Sequence, residues 1–343
     1  MMKVFIRVDA SDVIGTGHMF RTLVLAEGLR ALSDDVTFLC RDLPYFPSKR
    51  ITDLGFRLSI IPPADSLSGE LPLIQEKIAR EQPDWIIIDH YDIKKDYYLY
   101  LRRNRIKILS IDDINHTRFP VDVLLNQNVN AFEHKYQCEK ETIQLLGTQY
   151  ALVREIYRQK RKQATIRDSL KKVLIFMGGS DPDNQTLKVL NALTLSRRKV
   201  DADIVLGPAF QHKDMIEKEA SRNGIRYSIH QNLDHLADVM LRTDLAIGAG
   251  GLASLEMATM KLPMILMPIA DNQRQIAQCL HEKGAAINAG WFKNVDEQHI
   301  AKILTGLSLE KVNQMSRIAS RLCDGEGVNS VLEIMDSVLQ GAK

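Results

Sequence analysis

The chain has four cysteines and no close pair among them. Cys40, Cys138, Cys279 and Cys323 form no C-x-x-C step. That spacing argues against a zinc site or a disulfide framework and predicts reduced, mostly buried thiols. No apolar run approaches the ~18 residues that span a bilayer, so no stable membrane insertion is expected. There is no basic region followed by an apolar stretch and a cleavage site, which makes the cytoplasm the expected compartment. An excess of one charge is missing too, since 45 Lys+Arg against 43 Asp+Glu leave a net charge of +2. That balance argues against a nucleic-acid surface spread over the molecule, although a local basic patch suffices for a small anion. No exposed apolar repeat calls for a second copy, so a monomer is the expectation.

What is present is alternation. A length of 343 residues is roughly two domains. "KVFIRVDA" (Lys3 to Ala10) reads as a strand, and a helix follows from about His18 to Leu32. "VTFLC" (Val36 to Cys40), a loop carrying Pro44 and Pro47, and "RLSII" (Arg57 to Ile61) come next, then a helix over Leu71 to Glu81. "DWIIIDHY", "KILSIDD" and "DVLLNQN" are apolar runs flanked by polar residues, as in parallel strands buried on both faces. The basic stretch from Arg154 to Lys172 reads as a solvated connector with some helix. A second β-α-β series then begins with "KVLIFMGG" and runs through "ADIVLGP", "RYSIHQ", "DLAIGAGG" and "PMILMPI". Two helices close the chain near Ser308 to Leu322 and Val328 to Leu339. The expected division is 1–153, a connector 154–171, and 172–343. Two open parallel sheets imply a cleft, with ligands beyond the carboxyl ends of the strands.

The residues at those strand ends carry the candidate chemistry. "VIGTGHMF" places Gly15 and Gly17 before a helix, but Phe20 stands where a dinucleotide fingerprint needs its third glycine, and no Gly-Lys-Ser/Thr of a phosphate loop follows. What remains is a glycine turn that lets a ligand approach the backbone. His18 sits at the helix start, where positive dipole charge disfavours imidazolium, so a proton-accepting ring is expected. In the second half, Gly178, Gly179 and Ser180 end a strand, and backbone amides at such a turn can hold a phosphate. "GAGGLASLE" puts Gly250 and Gly251 ahead of a helix carrying Ser254 and Glu256, and Asn272 and Gln273 open another. Two helix N-termini then favour a diphosphate, while Glu256 suits neutral hydroxyls such as those of a ribose. For Glu256 the plainer reading is a carboxylate at a helix start, and for Asn272 and Gln273 a helix cap. Asp89-His90-Tyr91, Asp112-Asp113 and Asn126 end strands of the first half and could orient a sugar or hold a water. Paired aspartates raise the question of a divalent metal. Nothing else supplies an obvious ligand set, so neither metal nor cofactor is expected.

"RVDASDVIGTGHMFR", "IIIDHYDI", "ILSIDD", "YALVRE", "MGGSDPDN", "ADNQRQIA" and "DGEGVNSV" occur in this order across nearly the whole chain. Together they resemble the nucleotide-sugar hydrolases of the pseudaminic-acid pathway, which act on UDP-2,4-diacetamido-2,4,6-trideoxy-β-L-altropyranose. They are also similar to spore-coat polysaccharide proteins and, more distantly, to the glycosyltransferase MurG. The resemblance implies an α/β chain with a GT-B fold, two Rossmann-like doubly wound parallel-sheet domains and an interdomain cleft. It implies that His18 is required for activity and that Asp89 and Tyr91 line the sugar side. It assigns UDP to the Gly178–Ser180 turn, the Gly250–Glu256 helix start and Asn272-Gln273. Gly251-Leu252-Ala253 replaces the Ser-Thr or Ser-Ser often found in that family, leaving fewer hydroxyls for phosphate.

The implied reaction is attack of water on the anomeric carbon with His18 as base. UDP leaves readily, so protonating it is not essential, unlike an ordinary glycoside. Three rivals share the fold: a glycosyltransferase with an acceptor hydroxyl in place of water, a hydrolysing UDP-sugar 2-epimerase, and a non-catalytic nucleotide-binding subunit. The Leu43 to Ile51 segment, "LPYFPSKRI", has some character of a membrane-docking patch and keeps the transferase open.

Overall fold

The computed structural model describes residues 1–10, 16–41, 45–62, 66–222 and 224–341. The chain divides into two units, Met1–Leu152 with Glu326–Lys343, and Val153–Gly325.

The first unit is built on seven strands: β1 (Lys3–Val8), β2 (Asp35–Cys40), β3 (Arg57–Ile60), β4 (Trp85–Asp89), β5 (Lys107–Ile111), β6 (Val123–Asn126) and β7 (Ile143–Leu146). They lie in the order β3-β2-β1-β4-β5-β6-β7, every pair parallel. Helices cover both faces, so these strands are apolar nearly throughout. Val4, Ile6 and Val8 pack with Trp85, Ile87, Leu109 and Ile111 and with Leu23 and Leu29 of the helix Gly17–Ala31. Phe5, Leu39, Ile86 and Ile88 pack on the other face with Tyr97 and Tyr98. Side chains alternate between faces along a strand, so Asp89 and Asp113 fall on the side that the first helix covers. Arg7 and Asp9 fall on the opposite side.

That opposite side holds a buried ion network. Arg7, fully buried, donates from Nε to Glu70 Oε1 at 2.7 Å and from its terminal nitrogens to both oxygens of Asp9. Glu70, also fully buried, accepts from the Tyr97 hydroxyl at 2.7 Å. Burial pushes the Asp9 carboxyl up, but His90 and Arg7 outweigh it and hold it well below the usual carboxylate range.

The second unit has six strands: β8 (Lys172–Phe176), β9 (Asp201–Leu206), β10 (Tyr227–Gln231), β11 (Leu245–Gly248), β12 (Met264–Leu266) and β13 (Ala286–Asn288). Their order is β10-β9-β8-β11-β12-β13, again all parallel. Val173, Ile175, Ile204, Ile247 and Ile265 anchor its core. In both sheets the connections reverse direction at one place, between β1 and β4 and between β8 and β11. Such a switch point opens a crevice beyond the strand ends. Gly17 and the glycine turns singled out after β8 and β11 follow strands that flank these switch points, so the topology carries them to a crevice.

Four expectations are revised. Tyr45–Asp53 is a helix, not a loop; Pro47 falls in its first turn, where a missing N–H costs nothing. Each sheet gains a short last strand, β7 and β13. The basic stretch is not a solvated connector: the helix Glu155–Arg161 buries Tyr157, and Arg161 donates to the carbonyls of Thr259, Ser320 and Cys323. The division of the chain also differs, because the last helix, Gly327–Leu339, belongs to the first unit. Gly28 makes this docking possible, since a Cβ there would lie 2.5 Å from Val328 Cγ1. Gly327 is equally constrained, its Cβ position being 2.3 Å from backbone atoms of Ala151. Among the described residues no helix is long and apolar enough to cross a membrane.

Candidate active site

The first site forms where the helix Gly17–Ala31 starts beside the ends of β4 and β5. Gly17 is the first residue of that helix and exposed, Thr16 precedes it without a side-chain cap, and Gly15 lies outside the described residues. His18 and Arg21 are three apart and share one helix face. Asp89, fully buried at the end of β4, meets both. His18 Nδ1 lies 2.5 Å from Asp89 Oδ1, and Arg21 donates from Nε to Oδ2 and from a terminal nitrogen to Oδ1, each at 2.6 Å. Arg21 also donates to Asp113 Oδ2 at 2.9 Å, and the Tyr91 hydroxyl donates to Asp113 Oδ1 at 2.5 Å. The Tyr91 ring stands edge-on to the imidazole, with centroids 4.4 Å apart at 83°.

The protonation pattern follows from these contacts. Burial pushes the Asp89 carboxyl up, but Arg21 and His18 outweigh it and hold it well below the usual carboxylate range. An ionised carboxylate only accepts, so Nδ1 of the imidazole donates to it, and in the neutral ring the lone pair is then on Nε2. This is the arrangement of a general base oriented by a carboxylate. Tyr91 stays a phenol, because burial and then Asp113 push its hydroxyl far up. Asp89 and Tyr91, expected to line a sugar, both lie against the histidine. His90 is engaged elsewhere, its Nε2 3.2 Å from Asp9 Oδ2. His116 has both ring nitrogens occupied, one by Asp112 and one by the Ile93 carbonyl, and pins the loop after β5.

Stability should respond to acid through the same contact. The folded-state pKa of Asp89 is depressed, so its contribution is complete above the unfolded value of about 4 and disappears as pH falls through the folded value. Urea unfolding between pH 2 and 5 should show wild-type stability falling as pH drops below about 4, with a shallower slope for Asp89→Asn.

The second site lies in the second unit, beyond β8 and β11. Gly178 has φ +94°, and side-chain positions built on Gly178 and Gly179 meet open space. With the exposed Ser180 they present bare backbone at the end of β8. Gly207 is what allows the turn to settle, because a Cβ there would stand 2.1 Å from the Gly179 carbonyl oxygen. The helix that follows, Gln185–Leu195, is already capped: Asp181 accepts from Gln185 N at 2.7 Å, and from Thr186 N and the Thr186 hydroxyl. Any anion here therefore belongs to the turn itself and not to that helix start.

Beyond β11, Gly250 packs against the helix Asp271–Glu282, its Cβ position 3.1 Å from the Gln273 carbonyl oxygen. Gln273 Oε1 accepts from Ile269 N at 2.9 Å and Ala270 N at 3.3 Å, capping its own helix. Its Nε2 is turned toward Gly251, 3.5 Å from the Cβ position there. Asn272 is exposed in the same first turn. Ser254 is fully buried, and its hydroxyl donates to the Gly251 carbonyl at 2.7 Å, so it braces the turn from inside. Glu256 is partly exposed, with Arg154 3.7 Å from Oε1. Burial pushes the Glu256 carboxyl up, against the pull of Arg154 and the Tyr157 hydroxyl. Gly250, Gly251 and Gln273 are thus brought together, with Glu256 on the helix that follows the two glycines.

Three residues of these sites went unassigned in the sequence reading: Arg21, Arg154 and Tyr157. For Arg21 a signal existed in "HMFR", where an arginine repeats the helix face of His18. For Arg154 the only signal was its place in "YALVRE".

Residues 148–326 match the glycosyltransferase family 28 C-terminal domain. The chain is 31% identical over 292 residues to the UDP-2,4-diacetamido-2,4,6-trideoxy-β-L-altropyranose hydrolase of Campylobacter jejuni, covering 82% of this chain and 97% of that protein. It is 29% identical over 283 residues to an uncharacterized protein of Methanocaldococcus jannaschii, covering 80% of this chain but spanning only 57% of that protein's length. Among solved structures, MurG of Acinetobacter baumannii superposes with a TM-score of 0.72 at 15% identity, over 98% of this chain and 100% of that one. The two-sheet architecture is therefore the GT-B fold.

Proposed function

We propose, from the premise that this chain belongs to the UDP-2,4-diacetamido-2,4,6-trideoxy-β-L-altropyranose hydrolase family and carries its glycosyltransferase family 28 C-terminal domain, that it hydrolyses a UDP-linked deoxy-diacetamido sugar to free sugar and UDP. The observation that carries this reading is the imidazole of His18, held through Nδ1 by an ionised Asp89 at 2.5 Å. That contact leaves Nε2 as the proton acceptor.

In the proposed step a water loses a proton to Nε2 as its oxygen bonds to the anomeric carbon. The bond from that carbon to the phosphate oxygen breaks, its electron pair leaves with UDP, and the sugar inverts. UDP is a weakly basic leaving group, so no second carboxylate need protonate it. The backbone of the Gly178–Ser180 and Gly250–Gly251 turns is suited to the negative charge growing on the diphosphate. Glu256 is suited to the ribose hydroxyls. The sugar is assigned to the first unit, beyond the ends of β4 and β5, where Tyr91 is partly exposed beside His18. The product suits nonulosonate or surface-polysaccharide biosynthesis in the cytoplasm, and the working form is a monomer with no cofactor.

The family 28 domain match favours a second reading, transfer of the sugar to an acceptor hydroxyl. One incubation separates the two. The protein is mixed with UDP-2,4-diacetamido-2,4,6-trideoxy-β-L-altropyranose alone, and free sugar and UDP are followed by NMR. Multiple turnovers with inverted anomer are expected. Silence without an acceptor would favour transfer, and a product epimerised at C2 would point to the epimerase.

A further inference from the structure

We infer that Arg21 is a positioning residue, which grips the Asp89 carboxylate in the single orientation that keeps the His18 ring fixed by Nδ1. Asp89 is gripped at both oxygens, by Nε and a terminal nitrogen of the same guanidinium, each at 2.6 Å. A carboxylate held by a planar fork cannot turn about its Cβ–Cγ bond without losing two charge-assisted hydrogen bonds. Its Oδ1 therefore stays aimed at His18 Nδ1.

Arg21 is itself fixed at its far end. Its remaining terminal nitrogen donates to Asp113 Oδ2 at 2.9 Å, and Asp113 accepts from the Tyr91 hydroxyl at 2.5 Å. Tyr91 then returns to the starting point, its ring edge-on to the imidazole. Five side chains, His18, Asp89, Arg21, Asp113 and Tyr91, so form a closed circuit of contacts drawn from one helix and the turns after β4 and β5. Charge neutralisation alone would need only one cation near Asp89. The fork does more, because it constrains rotation as well as charge. A lysine supplies the charge and cannot supply the fork.

The inference rests on the reading of His18 as the base. Its test uses Arg21→Lys and Arg21→Met in the full chain, with steady-state kinetics and 15N NMR of the histidine side chains. In the wild type His18 should show a single neutral tautomer, protonated on Nδ1. In Arg21→Lys the two ring nitrogens should move toward averaged shifts, and kcat should fall by about 10²-fold, the scale of a small misplacement of a reacting group. KM should stay within about twofold, since substrate contacts are untouched. Arg21→Met should lose at least as much. If Arg21→Met fails to fold, Tyr91→Phe opens the same circuit from its other end and should average the tautomers in the same direction. A single Nδ1-protonated tautomer in Arg21→Lys, with kcat either unchanged or reduced, would overturn the inference. Averaged tautomers in a protein that releases no UDP from any nucleotide sugar would leave the inference standing and remove the hydrolase reading.

Discussion

His18→Ala is expected to lower kcat for UDP release by about 10²–10⁴-fold, the range supplied by one well-placed general base. UDP affinity, measured by calorimetry, should stay within about twofold of the wild type. The two halves of this expectation come from different parts of the chain. The imidazole belongs to the first unit and is oriented by Asp89, whereas the turns suited to the diphosphate belong to the second. Asparagine at position 18 is the sharper control, because it can still hydrogen-bond Asp89 but has no nitrogen lone pair for a proton. It should therefore be as inactive as alanine. Near-normal turnover in either variant, or a loss of UDP affinity that accounts for the whole defect, would remove His18 from the role of base.

Glu70→Ala is expected to destabilise the first unit by about 3–5 kcal/mol, the usual consequence of stripping one partner from a buried ion pair. Arg7 would keep Asp9 but lose the carboxylate on its Nε side, in a place that solvent does not reach. The measurement is favoured by the distribution of tryptophan. The chain has two, Trp85 inside the first unit and Trp291 in the second. With Trp291→Phe as background, urea unfolding followed by Trp85 fluorescence reads the first unit alone. The double replacement Arg7→Met with Glu70→Leu should recover only part of the loss, because it also takes Arg7 from the buried Asp9 carboxylate and leaves the Tyr97 hydroxyl without its acceptor. A change of less than about 1 kcal/mol in Glu70→Ala would mean that Tyr97 and Asp9 satisfy Arg7 without it.

How far the sequence spoke depended on whether a feature was local. Strands buried on both faces appear as unbroken apolar runs such as "WIIID", so the body of both sheets was legible. β7 and β13 were not, being four and three residues long with partly exposed side chains. Tyr45–Asp53 was read as loop because Pro47 weighs against helix unless its place in the first turn is known. His18 stood out by its glycine turn. The role of Asp89 did not, since the contact joins residues 71 positions apart and depends on which face of β4 the first helix covers. Ser254 looked like a ligand hydroxyl by spacing, but direction matters, and its Oγ points back into the turn. Periodicity correctly marked the last helix and could not say which sheet it would cover.

That last helix has a consequence for the order in which the protein can be made. The first unit needs Glu326–Lys343, so it cannot be finished until a segment made after the whole of the second unit has emerged. The second unit, contiguous from Val153 to Gly325, is complete sooner. The half bearing His18 therefore completes after the other, and a chain released before Glu326 would carry a finished second unit beside an unfinished first.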